Sequence, residues 1–252
     1  MRKMYHALIP YEFRYMFYKF RNPKRFQLLR RQVFPSPKGN FSLRAFDRYQ
    51  CLFIHITKSA GTSVAKSLFG ELPSHYTAIQ YRVIFGRKAF NDYFKFAFVR
   101  NPWDRLYSAY CYLKEGGWED ADRAWFQDNL SQLSDFNSFV LDWLNPERLC
   151  SHLHLRPQSD FICDRKHKPL IDYLGYFETL PEDFSLVSKK IGTKSHLAHV
   201  NASKRADYRD VYTLAAIDKA LTLYRQDIEN FGYRFDCLET RMSIRNGSFK
   251  TL

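Results

Sequence analysis

The residues Thr57-Lys-Ser-Ala-Gly-Thr-Ser63 form a short, hydroxyl-rich stretch between an apolar run and a helix-forming run. A loop at the entrance to a helix points backbone N–H groups and the positive end of the helix dipole at an anion. Lys58 adds a full charge at the loop's entrance, Gly61 permits close backbone approach, and Thr62 and Ser63 supply hydroxyl donors. Ser59 and Ala60 contribute small side chains and free amides. The chemistry implied is the holding of a phosphate or sulfate. The loop is not the nucleoside-triphosphate pattern G-x-x-x-x-G-K-[ST], because that pattern sets lysine directly before the hydroxyl residue. Here the lysine comes earlier, so triphosphate hydrolysis is disfavoured.

A second group lies in Val99-Arg-Asn-Pro-Trp-Asp-Arg-Leu-Tyr-Ser-Ala-Tyr110. Arg100 follows a strand-like run, at the end where α/β sheets bind ligands. Ser108 falls two turns into the helix that follows. Both can reach one phosphate, and a guanidinium suits bidentate contact with it. The competing reading is an ion-pair network among Arg100, Asp104 and Arg105.

Histidines carry the acid–base options. His55 sits inside an apolar run and reads as a core residue. His75 lies in Ser74-His-Tyr-Thr-Ala-Ile-Gln-Tyr81, between the two anion motifs. His152 and His154 alternate in His-Leu-His-Leu-Arg-Pro-Gln158, so on an extended chain they would face one side, either to line a cleft near Arg156 or to hold a metal. A metal there would want a third ligand, which the sequence does not mark.

The elements that must position these groups are legible as patterns. Cys51-Leu-Phe-Ile-His-Ile56 and Tyr93-Phe-Lys-Phe-Ala-Phe-Val99 are continuous apolar runs of strand length, the kind buried on both faces of a parallel sheet. Leu170 to Phe177 predicts a third strand. Helices are predicted from Thr62 to Phe69, from near Trp103 past Tyr112, through much of 119–150, from Pro181 to Ile191 and from Thr213 to Phe231. Pro102 stands where a first helical turn tolerates proline. Residues 196–210 read as a polar, basic loop. Strands alternating with helices define an α/β fold with a mainly parallel sheet. The expected division is a basic aromatic extension at 1–48, a domain at 49–238 and a polar, loose tail at 239–252.

Net charge is +13, from 39 basic and 26 acidic residues, and the excess is local. Residues 1–50 hold twelve Lys and Arg against Glu12 and Asp47. A nucleic-acid-binding domain would spread its basic residues over a folded face, whereas the body of this chain is close to balanced. Phe13, Met16, Phe17 and Phe20 recur at helical spacing among Arg14, Lys19 and Arg21. Two readings stand for this segment: short helices packed on the domain, or an amphipathic surface that rests on anionic lipid. The five cysteines are scattered with no C-x-x-C pair, which fits a reducing compartment. With neither a secretion signal nor a spanning segment readable, the expected location is cytoplasmic, or peripheral at the inner membrane face.

The order of the two anion motifs resembles the sulfotransferases that use PAPS (adenosine 3′-phosphate 5′-phosphosulfate), in particular the carbohydrate branch with its heparan/chondroitin-type and bacterial members. Tyr176-Phe-Glu-Thr-Leu-Pro-Glu-Asp183 and Asn201-Ala-Ser-Lys-Arg205 are similar to later family segments, so the resemblance spans roughly residues 50–236. It implies a three-layer, P-loop-NTPase-like α/β fold with a central, mainly parallel sheet flanked by helices. It assigns Lys58, Ser59, Ala60, Gly61, Thr62 and Ser63 to the phosphosulfate, and Arg100 and Ser108 to the 3′-phosphate. Ser203, Lys204 and Arg205 would close over the nucleotide. The activity implied is in-line transfer of a sulfuryl group to a hydroxyl of a carbohydrate or glycolipid, leaving adenosine 3′,5′-bisphosphate, with no metal required. Lys58 would stabilise the departing phosphate. A base must take the acceptor's proton. His75 resembles the family's position for it, with His152, His154 and a carboxylate such as Glu178 as alternatives. Thr57 stands where many members have proline, and the lumenal anchor and disulfides of Golgi members have no counterpart. Among other readings, a kinase with an atypical P-loop would need magnesium, and a basic membrane- or nucleic-acid-binding protein would draw on residues 1–48.

Overall fold

The computed structural model describes residues 11–36, 39–198 and 205–252. Three parallel strands form its centre: β1 (Cys51–Ile54), β2 (Phe94–Val99) and β3 (Tyr173–Tyr176), with β2 in the middle. Phe53 is in register with Phe96, and Phe98 with Gly175. Apart from Lys95 the strands are apolar because helices cover both faces. Lys95 on β2 is buried, and its ammonium is met by Asp172 at 2.9 Å and the Tyr93 carbonyl at 2.8 Å.

The α-helices of six residues or more, in chain order among the described residues, are α1 (Tyr11–Arg21), α2 (Pro23–Arg31), α3 (Arg44–Tyr49), α4 (Gly61–Phe69), α5 (Ala78–Phe85), α6 (Arg87–Asp92), α7 (Pro102–Lys114), α8 (Asp120–Asn129), α9 (Leu180–Lys190), α10 (Leu214–Leu223) and α11 (Arg225–Phe231). The mixed α/β architecture with a parallel sheet flanked by helices is the one expected. One apolar core surrounds the sheet. A second joins Trp103, Leu106 and Tyr110 of α7 to Phe136, Phe139, Trp143, Tyr212 and Tyr224.

Several elements differ from expectation for local reasons. The helical stretch expected over 119–150 breaks after Asn129 and resumes at Phe136–Ser138, capped by Asp135. It then widens into a π-helical turn at Phe139–Trp143, which inserts Phe139 and Trp143 into the second core. The long helix expected at 213–231 bends at Tyr224, whose hydroxyl donates to the Leu155 carbonyl at 2.6 Å. The tail is not loose. Its strands β4 (Met242–Arg245) and β5 (Ser248–Thr251) form an antiparallel hairpin, and Phe249 packs on Phe231. Helices α1 and α2 lie on the domain. Phe26 is 2% exposed within the sheet core, and Arg30 pairs with Asp47.

Candidate active site

All three parallel strands end at one edge of the sheet, so β1 delivers His55 and the loop 57–60, β2 delivers Arg100, and β3 delivers Glu178 there. This is the edge where ligands of open α/β sheets lie. The loop turns sharply: Lys58 and Ala60 both adopt left-handed backbone angles, φ +64° and +58°. Such alternation costs free energy for residues with a Cβ. The loop leads into the N-terminus of α4, where Thr62 is half-buried and Ser63 buried.

Gly61 has a reason other than approach to an anion. A Cβ on it would lie 1.9 Å from the His55 ring, so the glycine makes room for that imidazole. The Ser59 hydroxyl is likewise turned inward, donating to Gln158 Oε1 at 3.2 Å.

The two anion motifs meet. The Arg100 guanidinium donates to the Lys58 carbonyl at 3.1 Å and to Asp104 at 2.7 Å, and lies 4.0 Å from the centre of the Phe177 ring. Asp104 also holds Arg205. The ion-pair reading and the shared-site reading of Arg100 are therefore compatible. Ser108 is buried on α7. Ser203 and Lys204 lie outside the described residues. Lys58 sits 4.2 Å over the Tyr112 ring. Burial, with Arg100 and Arg205 nearby, pushes its ammonium down to about 8. Cations crowded to that degree favour an anion among them.

Gln158 and Arg105 hold the loops in place; Arg105, expected in an ion-pair network with Arg100 and Asp104, bonds the Thr57 and Arg156 carbonyls instead, and Arg205 takes its place on Asp104. Gln158 is fully buried, and its Oε1 accepts from Ser59 and from the Arg100 amide at 3.0 Å, while its Nε2 donates to the Arg100 carbonyl at 2.8 Å. Its own amide, with the amide and hydroxyl of Ser159, is held by buried Asp227. Arg105 is also fully buried; it donates to the Thr57 carbonyl at 3.0 Å and to the Arg156 carbonyl at 2.7 Å. An arginine inside a helix beside two loops was the available signal, but its partners are carbonyls that no sequence marks.

His75 Nδ1 lies 2.8 Å from the His55 carbonyl. A carbonyl only accepts, so Nδ1 carries the proton and Nε2 presents the lone pair. Burial first, then Arg105, holds its pKa below the ordinary imidazole value, so it is neutral at pH 7. Its ring is 4.1 Å from His55 and 6.4 Å from His154. His154 packs edge-on against Tyr112 at 4.5 Å, which links the histidines to Lys58.

His152 and His154 do face each other, with rings 5.2 Å apart, but across a series of turns rather than along an extended chain. The third group absent from the sequence reading is Asp122, whose Oδ1 is 3.2 Å from His152 Nε2. Atoms of Asp122, His152 and His154 lie within 4.8 Å of one another. His152 Nδ1 accepts the His154 amide at 3.3 Å, which leaves the proton on Nε2, directed at Asp122. Asp122 and His152 are thus held in a hydrogen-bonded array, with Asp122 Oδ2 accepting from Tyr112 and the Trp118 amide, while the buried Nδ1 of His154 has no hydrogen-bond partner. Arg156 leans on Asp160 at 3.2 Å, and so is tied to its own turn of chain. Glu178 is spent as well: one oxygen accepts from the Asn101 amide at 2.9 Å and the other from Tyr233 at 2.7 Å. Of the tryptophans, Trp103 and Trp143 are core. Trp125 lies 4.6 Å from the His152 ring and, like Trp118, is half-buried.

A lysine-bearing loop and an arginine are thus joined at the carboxyl edge of a parallel sheet. Residues 42–234 match the model of the sulfotransferase family, and the chain belongs to that family. An uncharacterized protein of Archaeoglobus fulgidus is 30% identical over 127 residues, covering 50% of this chain and 91% of that protein. No solved structure matches the chain with significance.

Proposed function

We propose that the protein moves a sulfuryl group from PAPS to a hydroxyl of a carbohydrate or glycolipid acceptor. The observation that carries this reading is the direct contact of the two anion motifs, Arg100 on the Lys58 carbonyl, with Gln158 bonded to both. One ligand with a phosphate at each end fits such a pair of cradles. The crowded cations Lys58, Arg100 and Arg205 fit its charge. When bound, the donor supplies the sulfuryl group and a phosphate leaving group. Lys58 and the amides of 59–63 offset the negative charge that grows on that leaving group. Arg100 and Ser108 hold the far phosphate. His75 Nε2 accepts the acceptor's hydroxyl proton, and the His55 carbonyl keeps its tautomer fixed for the task. Trp118 and Trp125 offer aromatic faces for a sugar ring beside His152. On this reading magnesium has no part.

The test is thermal stabilisation by adenosine 3′,5′-bisphosphate compared with ATP, followed by turnover in EDTA with radiolabelled donor. Selective stabilisation by the bisphosphate and EDTA-resistant transfer are expected; ATP-selective, magnesium-dependent binding would favour a kinase and end the proposal. The pH profile follows from the two shifted groups. Lys58 must be charged, so kcat/KM for the donor falls as pH rises through about 8. His75 must be neutral, so activity persists through pH 7 and is lost only in acid, below the ordinary imidazole value. A His75→Ala variant that binds the bisphosphate normally and turns over at the full rate would remove His75 from the role.

A further inference from the structure

We propose that α1 and the first turns of α2 form a docking surface for an anionic lipid bilayer. This goes beyond sulfuryl transfer and does not rest on it. Phe13, Met16, Phe17 and Phe20 are 61%, 55%, 51% and 83% exposed. Their spacing puts all four on one face of α1. The helix is seated by its other side: Tyr15 packs edge-on against buried Phe26 at 5.3 Å, and Lys19 turns inward to donate to the Val83 carbonyl. The most apolar face of the helix is therefore the one presented to solvent, the reverse of what burial in a core would produce. A contiguous exposed aromatic face of this kind marks an interaction surface.

The charge around it selects the occupant. Between Phe13 and Arg31 the sequence holds no acid. Arg21 lies 4.8 Å over the Phe17 ring and Arg25 lies 5.7 Å from Tyr18, while Lys24 and Arg31 are exposed. Aromatics flanked by cations match the boundary between acyl chains and anionic headgroups, where rings enter the interface and guanidinium groups stay at phosphate level. A nucleic acid would satisfy the cations but leave the rings in water. Beside α2 lies a groove of about 390 Å³ walled by Arg25, Leu28, Phe34 and Phe41, with Ser74 on its lining.

Flotation of the full chain with phosphatidylcholine–phosphatidylglycerol vesicles, beside pure phosphatidylcholine, tests the proposal. The native chain should partition tenfold or more in favour of the anionic vesicles, less so at high salt. The variant Phe13→Ser/Met16→Ser/Phe17→Ser/Phe20→Ser should lose at least tenfold of that binding with an unchanged melting midpoint. The variant Lys24→Gln/Arg25→Gln/Arg31→Gln should lose the salt-sensitive part. If the quadruple variant melts early, Phe20→Ser alone, at the most exposed position, should still weaken partitioning severalfold. Equal partitioning of the native and serine chains overturns the proposal, as does equal binding to neutral and anionic vesicles. A native chain that ignores vesicles but dimerises through this face, with dimerisation lost in the serine variant, assigns the surface to a second copy instead.

Discussion

Helices α1 and α7 are made of nearly the same materials, aromatic rings interleaved with arginine and lysine, yet they stand in opposite relations to water. In α7, Trp103, Tyr107 and Tyr110 are buried, and Arg105 is carried wholly inside because backbone carbonyls from two loops meet its guanidinium. In α1 the side chains of Phe13, Met16, Phe17 and Phe20 form a stripe as regular as any core-facing one, and it faces out. The difference lies in what surrounds each helix. Helix α7 begins at the sheet edge, where loops with unpaired carbonyls need a buried donor. Helix α1 lies on α5 through Tyr15 and Lys19, which leaves its apolar face uncovered. Periodicity reports that a helix has two faces and says nothing of which one a domain will choose.

Four substitutions break or sharpen this contrast. Lys58→Ala should cost the most, reducing turnover by about 10²–10³-fold, as loss of a leaving-group stabiliser does; the melting midpoint should hold or rise, because a crowded, half-buried ammonium is removed. Steady-state kinetics beside a melting curve separates the two effects. Arg105→Ala strips donors from the carbonyls of Thr57 and Arg156 and should destabilise the fold by about 3 kcal/mol, read as a melting shift of roughly 6–12 °C. A native melting curve for that variant would show that the guanidinium is not needed inside. Gln158→Ala should weaken binding of adenosine 3′,5′-bisphosphate about tenfold, with about 1–3 kcal/mol lost from the fold. Titration calorimetry would check it, and unchanged affinity would separate the two cradles. Phe20→Ser sits at the other extreme and should move stability by less than about 0.5 kcal/mol, measured by urea unfolding. A large loss there would mean that the stripe is covered after all.

The sequence made the sheet and both anion motifs readable because each rests on local signals: apolar runs of strand length, a proline at a first helical turn, a glycine beside hydroxyl residues. Lys58 and Arg100 were reachable as candidates for the same reason, whereas His75 was singled out by resemblance to the family. The parts that escaped depend on distant chain. Gln158, Asp122 and Arg105 act through partners far away in sequence, and the short segments around them do not mark those partners. Gly61 was legible as a glycine but for a different cause, since its neighbour is the His55 ring. The bend at Tyr224 and the π-helical turn at Phe139–Trp143 arise from packing in the second core, which propensity does not encode.

The buried amide of Gln158 closes contacts across 99 residues to Ser59 and 58 to Arg100, and its backbone is anchored to Asp227 a further 69 away. Chain closures of that length are completed late in folding. The two loops thus acquire their shape only after the second half of the chain has docked, and a nascent protein released or cut before Asp227 would carry both motifs without the means to arrange them.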